Sequence, residues 1–116
     1  MRKIEERIIK AINRHEKIRL SKRDMVDSMV GKTDVYLHST IIASIYKGHI
    51  IINSGSWRTN TTKSRLNAIL HEYTNCAIMQ EDWAWYVIER LTPGGWMTDK
   101  SSRKDFTDGM SIPRVR

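Results

Sequence analysis

The chain has 116 residues, with 20 Lys and Arg against 13 Asp and Glu, a formal net charge of +7. A chain of this length forms one small domain with a real core and needs no staple. A single cysteine, Cys76, excludes an internal disulfide and the paired-cysteine spacings of zinc modules. No apolar run approaches a membrane span, and charges interrupt the N-terminal residues too often for a signal peptide, so a reducing, intracellular setting is expected.

The charge is unevenly placed. Residues 1–25 carry nine Lys and Arg against Glu5, Glu6, Glu16 and Asp24; residues 97–116 carry five against three; residues 26–96 carry six of each sign. Basic ends on a neutral body suit a polyanion such as nucleic acid. The same alternation of charges also describes a merely solvated helix face.

In chain order, Ile4, Ile8, Ala11, Ile12 and His15 recur at helical spacing, which predicts an amphipathic helix over residues 2–17 with Arg7, Lys10, Arg14 and Lys17 on its outer face. A second helix is predicted over residues 21–31. Ser21 and Asp24 stand at capping-box spacing, Met25, Val26, Met29 and Val30 supply an apolar stripe, and Gly31 ends it. These two helices invite a helix-turn-helix reading, but the next segment is extended and supplies no recognition helix.

Residues Val35–Tyr46 read as one strand, and Lys47-Gly48 turns it into His49–Ile52. The expected register sets Ile45 opposite Ile50 and Ala43 opposite Ile52, with Ile41 on the same apolar face. After the turn-forming Asn53–Ser56 and the polar stretch Trp57–Thr62, a helix capped by Thr61 or Thr62 carries the stripe Leu66, Ile69, Leu70 and Tyr73, with a stop near Asn75. Cys76–Met79 and Trp83–Leu91 then form a second hairpin, and Pro93-Gly94-Gly95 closes the fold.

The expected architecture is therefore α+β: N-terminal helices, an antiparallel sheet of about four strands, and one helix packed across it. Residues 1–96 form the domain, with 1–31 its basic helical segment and 33–91 its sheet-helix core. Residues 97–116 form a basic, mobile tail unless Phe106, Met110 or Ile112 docks. The predicted core is Leu37, Ile41, Ala43, Ile45, Ile50, Ile52, Leu66, Ile69, Leu70, Ile78, Trp85 and Val87.

The histidines His15, His38, His49 and His71 show no metal-ligand spacing. His71-Glu72 lacks the second histidine of the H-E-x-x-H pattern, since position 75 is Asn75. Cys76 sits in an apolar run, as an inert thiol does. No catalytic residue, cofactor or metal is expected. The stretch Trp57–Arg65 is more suggestive: Arg58, Thr61, Thr62, Lys63 and Arg65 surround a helix N-terminus, where unpaired N–H groups and the helix dipole favour a phosphate. Of the tryptophans, Trp57, Trp83, Trp85 and Trp96 suit base stacking. Trp83, Trp85 and Val87 also alternate as a core-facing strand does.

Val35-Tyr36-Leu37-His38, Ile42-Ala43, the run from Ser54-Gly55-Ser56-Trp57 through Thr61-Thr62-Lys63-Ser64-Arg65-Leu66-Asn67, and Trp85-Tyr86 together resemble a recurrent family of small bacteriophage proteins. The distinctive string is T-T-K-x-R-L-N. The chain departs from the pattern with Ser39-Thr40 after the histidine and Ser56 before the tryptophan. The resemblance covers residues 33–88 and implies a phage-encoded protein in the cytoplasm of an infected bacterium; it brings no catalytic residues.

Two functions fit these observations. One is a nucleic-acid-binding protein that contacts DNA or RNA phosphates with weak sequence preference. The other is a phage inhibitor or adaptor that docks on an acidic host or phage protein.

Overall fold

The computed structural model describes residues 1–92 and 94–116; the predicted closing turn lies in part outside the described residues, at Pro93. Among the described residues there are two helices and nine strands. In order these are α1 (Lys3–Asn13), β1 (Lys17–Arg19), β2 (Asp24–Met29), β3 (Lys32–Leu37), β4 (Thr40–Ile45), β5 (His49–Ile52), α2 (Asn60–Tyr73), β6 (Cys76–Glu81), β7 (Ala84–Arg90), β8 (Thr98–Asp105) and β9 (Met110–Pro113). The fold is α+β as expected. Instead of one sheet of about four strands there are two antiparallel sheets, a six-stranded β1-β2-β3-β4-β5-β9 and a three-stranded β6-β7-β8.

The expected second N-terminal helix is absent. Ser21 Oγ does donate to Asp24 Oδ2 (2.7 Å) and accept from the Asp24 N–H (2.9 Å), but these bonds close a turn that leads into β2. Along β2 the buried positions are Asp24 and Val26, a period of two, and Gly31 takes its left-handed φ of 88° in the turn to β3. Lys17 consequently lies in β1 opposite Asp27, not on α1. His15, read on the apolar stripe, is exposed with φ 53° just beyond the helix end.

Residues Val35–Tyr46 split into two strands around His38-Ser39, both with positive φ as a type I′ turn requires. The next hairpin has the expected register, Ile45 opposite Ile50 and Ala43 opposite Ile52. Ile42 is the buried residue and Ile41 only half-buried, because the β3–β4 ladder shifts register beyond Val35. The other eleven residues predicted for the core are buried.

Helix α2 lays Leu66, Ile69, Leu70 and Tyr73 into the core between the sheets. Its Asn67 reaches the outer edge of β6, donating to the Ile78 carbonyl (3.1 Å) and accepting from the Ile78 N–H (2.7 Å), so this edge is capped by a side chain. The predicted tail is folded into both sheets. It docks through Phe106, set edge-on against Trp85 at 5.3 Å between ring centroids, and through Ile112, opposite Ile50.

Candidate nucleic-acid interface

The hydroxyl- and cation-rich start of α2 is largely structural. Thr59 caps α2, accepting from the Thr62 N–H at 3.2 Å, and the Thr62 hydroxyl is buried 3.0 Å from that of Thr59. The cap is thus two or three positions earlier than the expected Thr61 or Thr62. Arg65, expected at the phosphate, is 2% exposed. Its Nε donates to Asp24 Oδ1 at 2.8 Å and its Nη1 to Glu5 Oε2 at 2.9 Å, while Ser64 Oγ donates to the same Glu5 oxygen at 2.6 Å. Burial raises the Asp24 carboxyl, but hydrogen bonds from Arg65 and Ser21 and the charges of Arg65 and Arg23 outweigh it, leaving Asp24 below its ordinary 3.8. Arg65 ties α1, α2 and β2 together and is unavailable to a phosphate.

This internal triad changes the surface charge. Two of the four acids in residues 1–25, Glu5 and Asp24, are buried against an arginine from elsewhere in the chain. On the surface the nine cations of that segment have Glu6, Glu16 and the half-buried Asp27 opposite Lys17 as acidic company, a surface excess of six beside a buried triad of net charge −1. Arg7, Lys10 and Arg14 are exposed on or just beyond α1, Lys17 on β1, and Lys22 and Arg23 on the β1–β2 turn. Arg7 Nη1 reaches the Leu20 carbonyl at 3.4 Å, so helix and turn form adjoining parts of one basic surface.

The remaining expected residues stand at one end of the molecule. Arg58 is exposed but braced, its Nη2 3.4 Å from the Phe106 carbonyl and its Cζ 5.2 Å from the Phe106 ring centroid. Lys63 Nζ donates to Gln80 Oε1 at 3.0 Å, which joins the first turn of α2 to the β6–β7 hairpin. Thr61 is half-buried in the wall of a cavity of about 470 Å³ whose lining includes Leu37, Ile42 and Thr62, with His38 and Trp57 also on its lining. The His38 N–H donates to the Arg23 carbonyl at 2.8 Å, which brings the basic β1–β2 turn to this same end.

Sequence reasoning missed Lys22, Arg23 and His38 as neighbours of the site. The S-K-R-D spacing with its two cations was visible, but reading it as a helix start hid that it turns toward residue 38.

The tryptophans divide. Trp85 is 1% exposed in the core, whereas Trp57 is 72% and Trp83 90% exposed. Trp83 is not on the strand at all; it occupies the two-residue turn with Asp82. His71 stacks on Trp96 at 4.7 Å between centroids. Burial, reinforced by Glu89, pushes the Cys76 thiol above its ordinary value, which disfavours the thiolate. Among the described residues no group of three or more His, Cys, Asp and Glu is placed to hold a metal ion, and no helix is long and apolar enough to cross a membrane.

Residues 1–113 match the family model described as Kyanoviridae Gp96 protein, and the chain belongs to that bacteriophage protein family. No curated protein and no solved structure matches it.

Proposed function

We propose that this protein is a nucleic-acid-binding protein of the infected host's cytoplasm, contacting phosphates with weak sequence preference. The observation that carries the reading is the internal triad: by burying Glu5 and Asp24 with Arg65, the fold leaves the nine cations of residues 1–25 against three surface carboxylates, Glu6, Glu16 and Asp27. Such a surface binds a polyanion by releasing its counterions, which makes affinity fall steeply with salt. Arg58, Lys63 and the hydroxyl of Thr61 extend this surface toward the N-terminus of α2; Thr62 and Arg65 serve the fold.

Fluorescence anisotropy with labelled DNA and RNA between about 50 and 300 mM salt tests the reading. The Arg7→Gln/Lys10→Gln/Arg14→Gln variant is expected to weaken binding on all sequences alike and to flatten the salt slope by about 0.9 for each phosphate it no longer neutralises. Binding that does not vary with salt, or no binding at the lowest salt, refutes it. A second reading, an inhibitor or adaptor for a host or phage protein, is favoured by exposed Leu91, Trp96 and Met97, which sit together where the Leu91 N–H donates to the Met97 carbonyl at 2.8 Å. Partners that survive nuclease digestion of a lysate favour that reading.

A further inference from the structure

Trp83 stands where neither backbone preference nor burial calls for it. Asp82 and Trp83 have φ of 51° and 69°, and a turn with both central residues left-handed favours Asp-Gly. A bulky residue at the second position is disfavoured there, and an indole that is 90% exposed recovers almost nothing by packing. The fold therefore presents a ring at the tip of a hairpin that a glycine would close better.

The position of that tip is also informative. Through Lys63 and Gln80 it is fastened to the first turn of α2, the turn that begins just after exposed Trp57 and borders the apolar cavity. Two exposed indoles are thus displayed at the end of the molecule that also holds Arg58 and Lys63. Of the acids at the tip, Glu81 accepts from Arg103 at 3.0 Å, while Asp82 is exposed in the turn beside Trp83.

Resting on the nucleic-acid reading above, we propose that this end recognises single strands: unpaired bases stack on Trp83 and Trp57 while the adjoining cations hold the phosphates. Cations interleaved with exposed aromatic rings are the chemistry of single-strand binding, because a ring face reaches a base face only where the bases are not paired. The occupant is a single strand of DNA or RNA, bound without regard to base identity because every base offers a π face.

The test compares three labelled ligands at low salt: an oligothymidylate, an abasic oligomer with the same number of phosphates, and a duplex. The wild-type protein is expected to bind the oligothymidylate about 5- to 100-fold more tightly than the abasic strand, with quenching of tryptophan fluorescence. Trp83→Gly is expected to lose most of that difference, to bind the abasic strand and the duplex as wild type does, and to melt no lower than wild type. Trp83→Tyr, which keeps a ring, retains the preference, and this holds even if the glycine variant folds poorly. Equal wild-type affinity for oligothymidylate and abasic strand, or a well-folded Trp83→Gly/Trp57→Ala protein with the preference intact, overturns the single-strand inference alone. Absence of binding to all three ligands overturns the nucleic-acid reading and this inference with it.

Discussion

Replacing Arg65 tests the fold and the charge argument together. In Arg65→Met the apolar stem is kept, but Glu5 and Asp24 remain buried without their common partner. Removing one side of a buried ion pair costs about 3–5 kcal/mol, most of it from the stranded charge. Here two carboxylates are stranded, although Ser64 still donates to Glu5 and Ser21 to Asp24, so the upper half of that range is expected. Against a total stability of about 5–15 kcal/mol this is a loss visible in any urea titration. The pH dependence gives a sharper check. In the wild type the folded Asp24 carboxyl titrates below its unfolded value, so its contribution is fully present above about pH 4 and is lost as pH falls through the folded pKa. In Arg65→Met the hydrogen bond and charge of Arg65 are gone, and burial, the largest influence on Asp24, is opposed only by Ser21 and Arg23, so the folded carboxyl should rise above its unfolded value and the variant should gain stability as pH falls through that raised pKa. Adding Glu5→Gln and Asp24→Asn to Arg65→Met should restore much of the loss and abolish that slope. A loss below about 1 kcal/mol for Arg65→Met, or a pH slope of the wild-type sign, refutes the internal triad and with it the surface excess that follows from it.

Gly55→Ala should destabilise by about 1–2 kcal/mol or more, since φ is 67° and the new Cβ would lie 2.6 Å from Thr40 Cγ2, a methyl on a stiff β-branched side chain; chemical denaturation measures it, and an unchanged midpoint refutes it. Cys76 should react with a thiol reagent at neutral pH more slowly than a free thiol, because burial raises its pKa, and faster reaction would contradict the packing around it. Truncation after residue 96 removes β8, β9 and the buried Phe106 and Ile112, each side chain worth about 1.5–3 kcal/mol, so the shortened chain should lose its cooperative unfolding transition; a two-state melt near that of the full chain would mean that the last strands only decorate the fold.

What was legible in the sequence were the features whose partners lie close along the chain. The register of Ile45 on Ile50 follows from a short turn and one apolar face, and the stripe of α2 follows from its helical spacing. Residues 21–31 misled because two different structures share one chemistry: a Ser-x-x-Asp hydrogen-bond pair closes a turn as readily as it caps a helix, and Gly31 is left-handed after either element. Buried Asp24 and Thr33 also broke the period-two signal that would have shown β2 and β3 as strands. The polar β8 gave no apolar alternation to read, because none of its side chains is buried.

The site divides along the same line. Arg65 looked like a phosphate ligand because its neighbours in sequence are Thr61, Thr62 and Lys63, whereas its partners lie 41 and 60 residues away and become visible only once β2 and α1 are folded beside α2. A motif of hydroxyls and cations at a helix start thus contains two kinds of residue that sequence does not separate: Thr62 completes the α2 cap and Arg65 and Asn67 join elements through inward bonds, while Arg58 and Lys63 bond along the surface. The internal arginine serves the reading it seemed to weaken, because it neutralises one of the two carboxylates it holds beside the basic surface. If nucleic acid binds there, Lys63→Ala should lower affinity with the melting temperature nearly unchanged, whereas Arg65→Met should lower both, because it strands two carboxylates beside the basic surface. Binding measured well below each variant's melting temperature separates the two, and a Lys63→Ala protein with an unchanged salt slope would place Lys63 outside the phosphate contacts.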